Sequence, residues 1–407
     1  MAQCPECRHE SGASAEWLVT VDDGDSGATL VVCPNCDRVL GGGGSSAQGN
    51  GSQTASEGDS AWSMAAGGPK RTGFKSEVTG PREAVDLEWD HHKGGSVAFA
   101  PALVDDTLYV TNRTRGASHV TSHDLTDGSE QWRAETENKI TGAPAIVEDS
   151  VYVVDKTGTL YAFDVTDGSE RWTVMVTESY DRPTTPAVAN GQVYVTTREA
   201  TIHAFDATDG HENWVVEMDS EDYFSAVAVD DGVVYVGGSE ATVYALAADD
   251  GSKIWQFETQ YGTSSTPAVA DGTVYTGSQD RHVYAIDRDS GSQQWRFDAG
   301  SHVYETSVDD GMVYAVTEDG LLVALDMDDG TEQWSFEADG MFTAVPAVTA
   351  DTVYVGNEDE TLYALNKWTG QVQWTFEADD RIKGSAVVAD GTVYFGSDDT
   401  HIYALSE

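Results

Sequence analysis

The chain has 407 residues, 40% of them apolar, which is ample for a large core and excludes disorder for most of its length. Its 70 Asp and Glu against 22 Lys and Arg give a formal charge of -48, spread along the whole chain, as expected of a halophilic protein working in molar salt, where the Debye length falls to about 3 Å. No run approaches the ~20 apolar residues of a membrane span, and the N-terminus has no basic start, apolar run or twin arginine, so a cytoplasmic protein is expected.

Residues 1–40 hold all four cysteines, as two Cys-x-x-Cys pairs: Cys4 with Cys7, and Cys33 with Cys36. Each pair supplies two thiolates from a tight turn, and four thiolates complete the closed tetrahedral shell of structural Zn2+. A redox pair is the alternative, but two matched pairs are better explained by one metal. The arrangement resembles a zinc ribbon, with departures at Arg8 and Asp37, where such knuckles usually carry glycine. With 7 acidic and 2 basic residues the module has few cations to release counterions from a phosphate backbone. A protein partner is expected, and no nucleic acid.

Residues 41–84 open on four glycines and two serines and read as a flexible tether without a core. From residue 85 onward a repeat takes over. Seven glycines are each followed four residues later by a tryptophan: Gly128/Trp132, Gly168/Trp172, Gly210/Trp214, Gly251/Trp255, Gly291/Trp295, Gly330/Trp334 and Gly370/Trp374. A period of about 40 residues marks units that cannot bury their apolar faces alone. Within each unit, alternating apolar residues separated by Asp-Gly turns predict four short antiparallel strands, as in residues 267–297.

Eight first-strand segments follow one another, from Pro101 to Ala386. The chain enters with a lone tryptophan strand at Leu87 to Trp89 and ends after a third strand at His401 to Leu405. The entering strand therefore supplies the missing fourth strand of the last unit, which predicts an all-β, eight-bladed β-propeller over residues 85–407, expected as a monomer. Closing the ring leaves only short, protected edges.

The signature running from Asp164 to Trp172 and from Asp206 to Trp214 resembles the tryptophan-docking repeat of quinoprotein (PQQ-like) β-propellers, here of haloarchaeal type. The resemblance implies that Trp89 and the seven repeat tryptophans pack between blades. It also implies one of two functions. One is a non-catalytic protein-binding or assembly scaffold similar to the outer-membrane assembly lipoprotein BamB; the alternative is a PQQ-dependent oxidoreductase. The propeller has no cysteine pair and no long insertions to wall a quinone, and its aspartates fall in repeated turns they are suited to cap. The scaffold is expected, no catalytic residue is assigned, and PQQ is not supported.

Turns after the first and third strands put one acidic face together; the loops entering each first strand make the opposite face. Those loops hold Lys93, Lys139, Arg182, Arg381 and Lys383, five of the sixteen basic residues of the repeat region, with Tyr180, Tyr223, Phe224, Tyr261, Tyr304 and Phe342. Aromatics with arginine around a concave mouth have the composition of a recognition surface. A peptide or small anionic ligand is expected there.

Overall fold

The computed structural model describes residues 30–32, 39–42, 63–64, 67–73, 75, 78–114, 118–177, 183–218, 224–309 and 311–407. The chain divides into two units, Met1–Ser56 and Glu57–Glu407. In the first, Leu30–Val32 pairs antiparallel with Val39–Gly42.

In the second, eight four-stranded antiparallel sheets follow in chain order, with no helix among the described residues. Blades 1 to 8 begin with Ala102–Val104, Ala145–Val147, Ala187–Ala189, Ala228–Asp230, Ala268–Ala270, Val303–Asp309, Ala347–Val348 and Val387–Ala389. Blade 8 continues through Thr392–Gly396 and His401–Ser406 and is completed by Asp86–His92, which pairs antiparallel with His401–Ser406. The entering strand thus closes the ring. The Asp-Gly hairpins take the turn their residues permit: Asp271 and Gly272 have φ of 47° and 76°, the two positive values a type I′ turn needs.

The Gly/Trp period has a packing cause. Each indole stacks obliquely on a tyrosine of the second strand of its own blade, as Trp132 does on Tyr109 at 5.9 Å, and all but Trp374 donate the N–H to the turn after the third strand of the next blade. Trp132 bonds Val165 O at 2.8 Å, Trp214 bonds Ala248 O at 2.8 Å and Trp255 bonds Arg288 O at 2.7 Å. The indole then lies on that turn's glycine. A Cβ built on Gly168 would stand 2.5 Å from Trp132 Cε3. The glycine of one blade and the tryptophan of the previous one therefore form a contact pair.

The aspartates of these turns cap them. Asp164 accepts the Thr166 amide at 2.9 Å and Asp167 accepts the Ser169 amide at 2.9 Å. The Thr166 hydroxyl and amide, with Arg171, hold the Asp164 carboxyl down at about 2.

The tether expected over residues 41–84 does not extend to the first blade. From Ser63 the chain is a strap packed on the inner strands. The N–H of Ile146 donates to Ser63 O, Val229 to Pro69 O, Val269 to Lys70 O, Val308 to Thr72 O and Val348 to Gly73 O, serving blades 2 and 4 to 7, while Met64 is fully buried against blade 3, its sulfur 3.4 Å from Val188 N. Basic residues anchor the strap: Lys70 pairs with Asp230 at 2.8 Å and Arg82 with Asp351. Glycine and serine content suggested a featureless linker, but small residues are what a backbone needs to lie close against successive strands.

Candidate functional site

On the face carrying the loops that enter the first strands, a pocket of about 600 Å³ opens between the inner strands. Four basic residues line it on one arc: Arg113 at the end of the second strand of blade 1, Lys139 and Lys156 at either end of the first hairpin of blade 2, and Arg198 in the corresponding turn of blade 3. Arg113 lies over the Phe99 ring, 5.6 Å from its centroid, so part of its charge is held against an aromatic face. Thr185, Ser225 and Thr266 bring hydroxyls from blades 3 to 5. Opposite the basic arc stands Glu305 of blade 6.

Glu305 is positioned by a local exception to the repeat. The other blades carry Ala, Thr, Ser or Val just before the first strand. In blade 6 that strand is lengthened, and its register shifts between Val303 and Glu305, a bulge that re-aims one side chain. The Glu305 carboxylate accepts the Thr266 N–H at 3.2 Å, and enclosure by protein raises its carboxyl to about 8, with Arg71 acting in the opposite direction. Arg71 arrives from the strap. Its guanidinium, buried in the channel, donates to Val227 O and Pro186 O, each at 3.2 Å, and burial lowers it to about 10.

The residues expected at this mouth are dispersed. Lys139 lines the pocket, and Phe224 presents one edge to it while 97% buried, edge-on to Tyr244. Phe342 is fully buried against Tyr363 and offers no surface, because the loop before blade 7 folds its ring into the core. Lys93 is also buried, turned into the seam between blades 8 and 1, where its Nζ lies 3.2 Å from His123 Nδ1 and desolvation lowers it to about 8. Arg381 and Lys383 are engaged with Asp398, at 3.4 and 3.0 Å. Tyr304 is half-buried at the bulge, and Tyr261 is exposed beside a smaller cleft with His282 and His302. Tyr180, Arg182 and Tyr223, and the cysteines Cys4, Cys7, Cys33 and Cys36, lie outside the described residues.

Sequence reasoning missed Arg113, Lys156, Arg198, Glu305 and Arg71. The first three belong to the ends and turns of second strands, which share this face with the loops that were considered. Glu305 was detectable as the one acid at a position otherwise small or apolar.

The described residues lining this pocket do not supply the ligand set of a calcium-bound quinone, the cofactor of the dehydrogenases that the repeat resembles. Calcium takes six to eight oxygen ligands, carboxylates prominent among them. The described lining has one carboxylate, Glu305, already bonded to a backbone amide and facing four basic side chains.

The sequence matches the family described as outer membrane protein assembly factor BamB over residues 53–182, 116–256, 239–344 and 340–407. The fold is similar to BamB from Moraxella catarrhalis (TM-score 0.69, 19% identity, 80% of this chain and 100% of that one). It is similar as well to quinohemoprotein alcohol dehydrogenase from Comamonas testosteroni (TM-score 0.72, 15% identity, 85% and 80%) and to a computationally designed protein, Ika8 (TM-score 0.70, 18% identity, 78% and 98%). No curated protein matches the chain significantly. The repeat, the ring of eight blades and a match running from residue 53 to the last residue agree, and the chain belongs to the BamB family of β-propeller proteins.

Proposed function

We propose that the protein is a non-catalytic binding platform that holds a protein partner at the propeller mouth, with an N-terminal zinc module as a second recognition unit. The observation that carries this reading is a pocket on the mouth face lined by Arg113 and Lys139 in a chain of net charge -48, with Lys156 and Arg198, each engaged in interactions of its own, beside them. Such a patch costs little to keep on a surface crowded with carboxylates, and it steers anionic groups to one spot. The matched family's description as an assembly factor supports a role in holding proteins together. Four cysteines in two matched pairs support structural zinc, and the charge supports a halophilic, cytoplasmic setting.

The test is affinity capture at molar KCl with the full chain and with an R113E/K139E variant, retained proteins being identified by mass spectrometry. A partner held by the native chain and lost from the variant supports the mouth as the docking face. A partner held equally by both places docking elsewhere, and no partner with either removes the platform reading. A chelator should release one zinc ion per chain without altering the thermal midpoint of the propeller; native chain purified without zinc would remove the metal module.

A further inference from the structure

We infer that His92 and His401 form a site for a divalent transition-metal ion that favours imidazole, such as Zn2+, Ni2+ or Cu2+, on the seam where the entering strand closes the ring. The inference stands apart from the mouth pocket and from the four cysteines.

The two histidines depart from the repeat. In blades 3 to 7 the first residue of the third strand faces an acid on the fourth, as Thr242 faces Glu258 and His282 faces Asp298. In blade 8 that pair is His401 and His92. Directly opposed residues of antiparallel strands project on one face, with Cβ atoms about 4.5–5.5 Å apart. The two rings stand 5.3 Å apart between centroids and are inclined at 70°. Imidazoles that share one ion at ~2.0–2.1 Å, with a tetrahedral angle between them, have centroids about 5 Å apart. The backbone therefore already sets the separation, and turning the rings completes the pair. His92 is exposed, and its imidazole makes no hydrogen bond among the described residues.

The surroundings favour a cation. His401 Nδ1 lies 3.4 Å from Asp399 Oδ1 without a hydrogen bond, and its Nε2 lies 3.7 Å from Asp90 Oδ2. Asp399 is fixed by the Tyr403 hydroxyl at 2.6 Å and by the amides of His401 and Asp379 at 2.8 and 3.2 Å. A carboxylate behind the far nitrogen is what orients a ligating histidine: an ion on Nε2 leaves the Nδ1 proton to donate to Asp399. Asp90, exposed on the same strand as His92, adds negative charge beside Nε2. Among the described residues no three acidic, histidine or cysteine side chains are arranged to hold an ion, so two imidazoles bind this one and water completes its shell. One ligand comes from Asp86–His92 and the other from His401–Ser406, so the ion ties together the two strands that close the ring.

Calorimetric titration of the full chain with Ni2+ tests the site. It is done at about pH 8, where imidazole is neutral, in molar KCl with excess Mg2+ to occupy sites made of carboxylates alone. His92→Gln and His401→Thr are compared with the native chain. Threonine is the residue of Thr159, Thr201, Thr242 and Thr361 at the same place in other blades, so the fold should tolerate it; circular dichroism checks both variants. Whatever the cysteines bind is common to all three proteins, and the difference isolates the seam. The native chain should bind one Ni2+ that each variant binds about tenfold or more weakly. Saturating Ni2+ should also raise the thermal midpoint of the native chain above the rise in either variant. Equal Ni2+ binding by all three proteins overturns the site. Weakening in one variant alone overturns the pairing of the two imidazoles, and binding without the extra rise in midpoint overturns the tie between the strands.

Discussion

Trp374 donates its indole N–H to Pro81 O at 2.9 Å, a partner 293 residues earlier in the chain. Seven other indoles find their acceptor in the turn after the third strand of the next blade. At blade 8, whose third strand is His401–Ser406, the end of the strap supplies the acceptor instead. Tyr354 donates to the same carbonyl at 3.0 Å, and the Glu407 carboxylate accepts the N–H groups of Arg82 and Glu83. The ring is therefore fastened twice, by the strand Asp86–His92 and by the segment before it.

A chain beginning at residue 85 keeps every blade strand but loses the second fastening. It uncaps Trp374 and Tyr354 and removes the acceptors of Ile146, Val229, Val269, Val308 and Val348. Leaving a buried donor unsatisfied costs about 1–3 kcal/mol, and a domain of this size loses about 2–4 °C per kcal/mol. The expected thermal midpoint is about 10 °C or more below that of a chain beginning at residue 57. Scanning calorimetry of both decides; midpoints within about 2 °C would show that the strap does not stabilise the ring.

The repeat was legible because its residues are constrained twice over. Gly168 must allow a φ of 70° and also leave room for Trp132, so glycine and tryptophan recur together and the blade count follows from them. The strap was not legible, since a backbone lying across the first strands of six blades needs small residues and shows no period. One clue was present: Lys70, Arg71, Lys75 and Arg82 are four of only 22 basic residues, gathered within thirteen positions of an acidic chain. The mouth was half legible. Loops entering the first strands were expected to line it, but Phe342 and Lys93 turn inward to fill the core and the seam. Spacing does not reveal which way a loop side chain turns.

Gly168→Ala and Gly191→Ala separate the two constraints on the repeat glycine. Both have φ near +70°, but a Cβ on Gly191 meets nothing within 4 Å, whereas on Gly168 it strikes the Trp132 ring. The backbone strain, about 1–2 kcal/mol, is common to both. Displacing the indole adds about 1–3 kcal/mol at Gly168 alone. Urea unfolding should rank Gly168→Ala well below Gly191→Ala, and equal losses would remove the indole contact as the reason for the repeat glycine.

A net charge of -48 predicts that salt stabilises the fold, because like carboxylates on neighbouring turns repel until they are screened. The thermal midpoint should climb steeply from 0.1 M to molar KCl. Ion pairs that salt weakens, such as Arg171 with Asp149 and Asp164, are few and partly exposed, so their loss should not cancel the gain. A midpoint that stays flat over that range would show that the acidic surface is no adaptation to salt.

Glu305 predicts a second, local dependence with a definite sign. Its carboxyl sits at about 8 in the folded chain against an ordinary 4.5. Between these values the folded state keeps a proton that the unfolded state has released, so raising the pH favours unfolding across that window. Glutamine at this position cannot titrate. The stability of Glu305→Gln relative to the native chain should therefore rise from pH 4.5 to 8 and level off above it, by an amount on the order of a few kcal/mol. Arg71 moderates the effect, since its charge favours the ionised carboxylate. Urea midpoints of both proteins at pH 5, 6.5, 8 and 9, in constant molar KCl, measure the difference; a gap that does not change with pH would mean that Glu305 ionises normally and that the pocket floor is open to water.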